Sequence, residues 1–180
     1  MEFTETRLPG VMIIRPDVFH DDRGFFLETY HADKYARGGI SGRFVQDNHS
    51  RSVKGTIRGM HAQRRHPQDK LVRVLAGRIF DVVADIRPGS PTYLQWISVE
   101  LSAENFLQLY VPRGYAHGIG VLSDFAEIEY KCTDFYDPAD EIRIIWNNPS
   151  LGIQWPIENP IVSPKDCAAR ALADQTELFS

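Results

Sequence analysis

Residues 71–114 read LVRVLAGRIFDVVADIRPGSPTYLQWISVELSAENFLQLYVPRG, and their punctuation decides the fold. Leu71 to Leu75 is an apolar run that meets Gly77. Ile79 to Ile86 follows and stops at Pro88-Gly89-Ser90-Pro91. Tyr93 to Leu101 comes next, and Phe106 to Val111 ends at Pro112-Arg113-Gly114. Strand-length segments recurring about every ten residues between Gly and Pro turns predict a β-sandwich or barrel. Helical periodicity is weak, with candidates only near Ala32 to Gly38 and Pro164 to Leu172. The expected class is all-β with short peripheral helices.

Downstream, Ala126-Glu127-Ile128-Glu129-Tyr130-Lys131-Cys132 alternates strictly. Ala126, Ile128, Tyr130 and Cys132 share one face of a strand, and the three charged residues share the other. The charged face meets water, so Tyr130 points inward. A phenol inside a barrel is either a core residue with a hydrogen-bonded hydroxyl or, given a reacting group nearby, an acid.

The wider composition narrows the function. The 180 residues are 43% hydrophobic and 24% charged, ordinary for a folded globular protein. With no repeat, low-complexity tract or linker, residues 1–180 are expected to form a single domain. Twenty Lys plus Arg against 24 Asp plus Glu give a net charge of −4, without the basic excess that nucleic-acid binding requires. No apolar run approaches the roughly 20 residues needed to cross a bilayer. The N-terminal stretch carries Glu2 and Glu5 and lacks the apolar centre of a secretion signal, so a cytoplasmic location is expected. Cys132 and Cys167, far apart, offer no cysteine-rich zinc site.

Three polar clusters border strands: Arg58-Gly59-Met60-His61-Ala62-Gln63 with Lys70 beyond it, Pro112 to His117, and Tyr130 to Tyr136. A barrel can bring all three to one mouth. Pro-x-Gly-x-x-His at Pro112 to His117 resembles the second motif of metal-binding cupins. Their first motif supplies His-x-His and then a Glu, whereas here His61 is followed by Gln63, and neither Pro67 nor Gln68 is a carboxylate. Two histidines do not make a transition-metal site, so no metal is expected and His61 and His117 are free for acid, base or hydrogen-bonding work. No Gly-x-Ser-x-Gly elbow, GxGxxG or Walker loop is present. Any nucleotide must therefore be held by side chains such as Arg23, Arg58, Lys70 and Lys165. Arg58 and His61 are three apart and would face opposite ways in a flat strand; a bulge at Gly59 would reconcile them.

Taken in order, Asp22 to Glu28, Phe44 to Ser50, Arg58 to Gln63, Lys70 to Val74, Phe80 to Arg87, Ser90-Pro91-Thr92, Pro112 to Gly118, Tyr130 to Tyr136 and Ser163 to Asp166 resemble the dTDP-4-dehydrorhamnose 3,5-epimerase family over about residues 3–170. The resemblance implies a cupin jelly roll, a homodimer, no metal or other cofactor, and a dTDP-4-keto-6-deoxyhexose substrate of rhamnose biosynthesis. Carried over by position, it implies that His61 is the general base, Asp166 the carboxylate that orients it and Tyr130 the proton donor. Lys70 would stabilise charge on the C4 oxygen, with His117 near the sugar. Arg58, Tyr136, Glu141 and Lys165 would be further substrate contacts, and Gln46 and Asn48 contacts to the nucleotide. Arg23, Phe26 and Glu28 would reach the site from the neighbouring subunit. Ala62 and Leu94 stand where the family commonly has Tyr and Gly, which is expected to alter the pocket wall.

That chemistry suits the residues. A C4 ketone acidifies C3–H and C5–H because the carbanion delocalises as an enolate. His supplies a base near neutral pH, a carboxylate fixes its tautomer, and a cation stabilises the enolate oxygen. The alternatives are a relative acting at one centre, as a 3- or 5-epimerase, a 3,4-ketoisomerase, and a non-catalytic sugar-nucleotide binder. Gln63 argues against the ketoisomerase, and a base facing an acid argues against the binder.

Overall fold

The computed structural model describes residues 1–175 and 178–179. Its strands, in chain order, are β1 (Glu2–Glu5), β2 (Met12–Arg15), β3 (Val18–Asp21), β4 (Gly24–Leu27), β5 (Gln46–Val53), β6 (Thr56–Gln63) and β7 (Lys70–Ala76). Then come β8 (Arg78–Asp85), β9 (Trp96–Ser102), β10 (Gln108–Val111), β11 (Tyr115–Val121), β12 (Phe125–Cys132), β13 (Glu141–Arg143) and β14 (Ile161–Val162). The helices are short: α1 (Ala32–Arg37), α2 (Pro164–Cys167) and a 3₁₀ turn at Leu172–Asp174.

One six-stranded sheet runs β1-β2-β10-β7-β12-β5 and the other runs β13-β6-β11-β8-β9, with β14 added parallel to β6; β3 and β4 form a separate hairpin. The fold is the cupin jelly roll. Non-sequential antiparallel neighbours such as β10 with β7 and β11 with β6 are its signature. The main core lies between the sheets, built from Val72 and Val74 of β7, Ile79 and Val83 of β8, Ile119 and Val121 of β11, and Ala126 and Ile128 of β12. Each such side chain contributes about 1.5–3 kcal/mol on leaving water. The alternation in β12 places Ala126 and Ile128 in that core, with Tyr130 packed against it.

Gly77 makes the β7–β8 turn possible. It has φ +76°, and a Cβ there would stand 2.1 Å from the Phe125 carbonyl oxygen. Two expected strands are shorter than their apolar content suggests, because β9 begins at Trp96 and β10 at Gln108. Before β9, the Ser90 and Thr92 hydroxyls donate to the Asp85 carboxylate and curl the chain, and Leu94 adopts φ +65°. Before β10, Phe106 has φ +56° and Leu107 N–H donates to Asn105 Oδ1. Side chain–backbone bonds of this kind overrule strand propensity. The second expected helix is likewise cut short, with α2 ending at Cys167.

Candidate active site

The bulge in β6 builds the site. His61 pairs with His117 of β11 and Arg58 with Ile119, so three steps on β6 oppose two on β11. The surplus residue is absorbed around Gly59, at φ +127°. A Cβ on Gly59 would lie 2.6 Å from Gly118 Cα, so only glycine lets the two strands approach. Arg58 and His61 thereby line one cavity, of about 800 Å³.

The two paired histidines each have a carboxylate behind them. His61 Nε2 lies 2.7 Å from Asp166 Oδ1, and His117 Nε2 lies 2.8 Å from Asp81 Oδ1. A carboxylate only accepts, so Nε2 carries the proton in each ring and Nδ1 holds the lone pair. Asp166 is placed by α2: Ser163 caps the helix by accepting from Asp166 N–H at 3.1 Å, and Pro164 fills the first helical position. Burial pushes the Asp166 carboxyl up. Bonds from His61, Ser163 and the Gly59 backbone outweigh that and leave it below the usual carboxylate range. Among the described residues, no three His, Cys, Asp or Glu side chains are gathered as metal ligands.

The opposite wall comes from the other sheet. β5, β7 and β12 contribute Gln46, Asn48, Lys70, Tyr130 and Cys132. Lys70 and Cys132 are cross-strand partners. Burial pushes the Lys70 ammonium below the ordinary amine range, partly opposed by Cys132, Glu141 and Asp81. Burial raises the Tyr130 phenol, with Arg58 pulling the other way, so Tyr130 keeps its proton at neutral pH. Arg58 crosses towards this wall, with Nε donating to Ser52 Oγ of β5 at 2.9 Å.

At the rim, Lys165 Nζ donates to Glu141 Oε2 at 2.8 Å and to the Tyr136 hydroxyl at 3.2 Å. Tyr136 N–H donates to Gln46 Oε1, whose own amide donates to Asn48 Oδ1. Glu141 is pushed up by burial and pulled down further by Lys165 and Arg143, leaving it below the usual carboxylate range.

Of the residues singled out in the sequence, His61, Lys70, His117, Tyr130, Asp166, Arg58, Gln46, Asn48, Tyr136 and Glu141 line the cavity, and Lys165 is bonded to two of them. Arg23, Phe26 and Glu28 do not line it. Arg23 lies in the β3–β4 hairpin and pairs with Asp21; Phe26 is 70% exposed on β4; Glu28, just beyond, pairs with Lys34 at 2.8 Å. Ala62 lines the cavity, whereas Leu94 does not: it packs against a second core cluster around Ile142 and Leu151, outside the pocket wall. Asp81 and Ser52 were not expected in the site. Asp81 did carry a signal, since an acid inside the apolar run Ile79 to Ile86 is buried and must find a donor.

A jelly-roll cavity that sets an imidazole–carboxylate pair against a buried phenol defines a cupin-type acid–base enzyme. The chain belongs to the dTDP-4-dehydrorhamnose 3,5-epimerase family, whose model matches residues 5–174. A relative of that name from Pseudomonas aeruginosa is 49% identical over 176 residues, 97% of each chain. One from Neisseria gonorrhoeae is 50% identical over 96% of this chain, which spans about half (53%) of that longer relative. The solved dTDP-6-deoxy-D-glucose-3,5-epimerase of Legionella pneumophila, in complex with dTDP-4-keto-L-rhamnose, superposes with a TM-score of 0.93 at 48% identity, covering 96% of this chain and 93% of that one.

Proposed function

We propose that the protein epimerises dTDP-4-keto-6-deoxy-D-glucose at C3 and C5 through an enolate, giving dTDP-4-keto-L-rhamnose. The observation that carries this reading is the placement of His61 and Tyr130 on opposed sheets facing one cavity. Inversion needs a base on one face of a carbon and an acid on the other, and a single sheet cannot provide both.

His61 Nδ1 takes the proton from C3, and Asp166 holds the ring and stabilises the imidazolium that forms. The electron pair moves onto the C4 oxygen, where the Lys70 ammonium compensates the charge in a site sheltered from water. Tyr130 O–H returns a proton to the opposite face; proton exchange with solvent resets His61 and Tyr130 before the same cycle acts at C5. His117 Nδ1, beside His61, contacts the sugar. Arg58 and Lys165 meet the diphosphate, Tyr136 the base by stacking, and Gln46, Asn48 and Glu141 the polar edges of the nucleoside.

The same proposal includes a homodimer. The β3–β4 hairpin exposes the cross-strand pair Phe19 (63%) and Phe26 (70%), an apolar patch suited to a second copy of the chain. There Arg23, Phe26 and Glu28 would complete the neighbour's cavity. Cys132 and Cys167 are both free thiols, which fits work in the reducing cytoplasm.

Incubation with the 4-keto-6-deoxyglucose nucleotide in deuterated water tests the reaction. Label and inversion at both C3 and C5 are expected. Label at neither carbon would remove the proposal, and label at C3 alone would reduce it to a single-centre epimerase.

A further inference from the structure

Gln63 ends β6 two positions after His61, so the two side chains share a face of the strand, and both line the cavity. It is 5% exposed. Its Oε1 accepts from Asp137 N–H at 3.2 Å. That contact fixes the amide: a backbone N–H only donates, so the oxygen faces Asp137 and the NH₂ faces away. Nε2 is buried and has no hydrogen-bond partner among the described residues. Folded proteins rarely leave such a donor unpaired, and here it belongs to a residue that lines a cavity of ligand size.

Among the described residues no protein group answers it. Its cross-strand partner Glu141 takes Arg143 and Lys165 both on Oε2 and makes no bond to the amide. The loop holding the other end of the amide carries Tyr136, whose N–H is tied to Gln46. Gln63 therefore lies beside the residues assigned above to the nucleoside. We infer that Gln63 Nε2 donates a hydrogen bond to an oxygen of the bound nucleotide, on its ribose or diphosphate, and so helps to hold the nucleotide in the cavity. This inference rests on the nucleotide-sugar reading above.

Calorimetric titration with dTDP, and kinetics with the 4-keto-6-deoxyglucose nucleotide, test it on the wild type and on Gln63→Glu. The glutamate keeps an oxygen for Asp137 N–H and removes the donor. Affinity for dTDP is expected to fall about tenfold or more, with KM rising by a similar factor and kcat changing less. A purely structural role would change thermal stability without that split. Independently, in labelled wild-type protein, the Gln63 side-chain amide protons should move downfield on saturation with dTDP, a readout that does not depend on a variant folding. Unchanged dTDP affinity in folded Gln63→Glu, or an unmoved side-chain amide in the wild type, overturns the inference and leaves the function standing. A wild type that binds no dTDP overturns both.

Discussion

Asp85 and Asp166 are both buried carboxylates, and their surroundings differ in one respect. Asp85 accepts from Arg87 Nε at 2.9 Å and Nη2 at 2.7 Å, from Thr92 at 2.6 Å, from Ser90 and from Arg87 N–H. Burial raises its pKa, but those donors bring it down to about 2. Arg87 lies over the Tyr115 ring at 4.1 Å, and the Tyr115 hydroxyl donates to the Pro9 carbonyl, so the cluster ties the 86–95 loop to the N-terminal segment. Asp166 instead spends one oxygen on His61, an imidazole that borders the cavity. A carboxylate saturated by permanent donors fixes a loop, whereas one facing an imidazole leaves a basic nitrogen for chemistry. The same fold uses the same residue type for stability in one place and, in the function proposed, for catalysis in the other.

Breaking the member proposed to be catalytic should give the largest effect. In His61→Asn, solvent exchange at C3 and C5 should fall about 10²–10⁴-fold, the usual loss of a positioned base, with thermal stability nearly unchanged. Tyr130→Phe should lose inversion far more steeply than exchange, because the enolate still forms and is reprotonated on its original face. Exchange near the wild-type rate in His61→Asn would take the base away from His61. Equal loss of both readouts in Tyr130→Phe would give Tyr130 a role in enolate stabilisation instead.

Lys70 ranks next. Its pKa is lowered by burial, so the ammonium loses its proton at lower pH than a free lysine, and activity that needs the cation falls early on the alkaline side. Lys70→Gln should cost about 10²–10³-fold in kcat and remove that limb of the pH profile. A limb that persists in the variant would belong to another group.

The structural member should behave in the opposite way. Asp85→Asn should lower unfolding free energy by about 2–3 kcal/mol by denaturant titration, with turnover per folded molecule kept. The sign with pH follows from a folded pKa near 2 against 3.8 for the free group. The stabilisation is complete above roughly pH 4 and disappears as pH falls through about 2, amounting to about 2 kcal/mol. Wild type and variant should therefore converge in stability in acid. A gap that stays constant down to pH 2 would assign the loss to packing.

The two regions were unequally legible in the sequence. Strand spacing over 71–111 and the alternation around Tyr130 reveal the barrel and its inward phenol, because periodicity reports burial directly. The bulge at Gly59 could be anticipated, since Arg58 and His61 reach one pocket only through an extra residue. The partner of His117 was legible only in part: an acid inside the apolar run Ile79 to Ile86 signals a buried group in need of a donor, but which donor emerges only when β8 and β11 are laid side by side. The loop before β9 was legible only in part. Pro88 to Pro91 reads as a turn, but Tyr93 and Leu94 resemble the start of a strand, and only the hydroxyl bonds to Asp85 show why the chain keeps turning.

The smallest expected effect refines the structural half of the comparison. Leu94 N–H donates to the Asp85 carbonyl at 2.8 Å, and the residue reaches that position with φ +65°, where a β-carbon costs roughly 1–3 kcal/mol. Its side chain returns part of this by packing against the cluster around Ile142 and Leu151. Leu94→Gly removes the strain and the packing together and should shift stability by no more than about 1 kcal/mol. Leu94→Ala keeps the strain and loses the packing, so it should be the less stable variant by urea midpoint, although alanine is normally the better-tolerated replacement. If Leu94→Ala were the more stable of the two, the positive φ would carry little strain and side-chain packing alone would set the conformation of the loop.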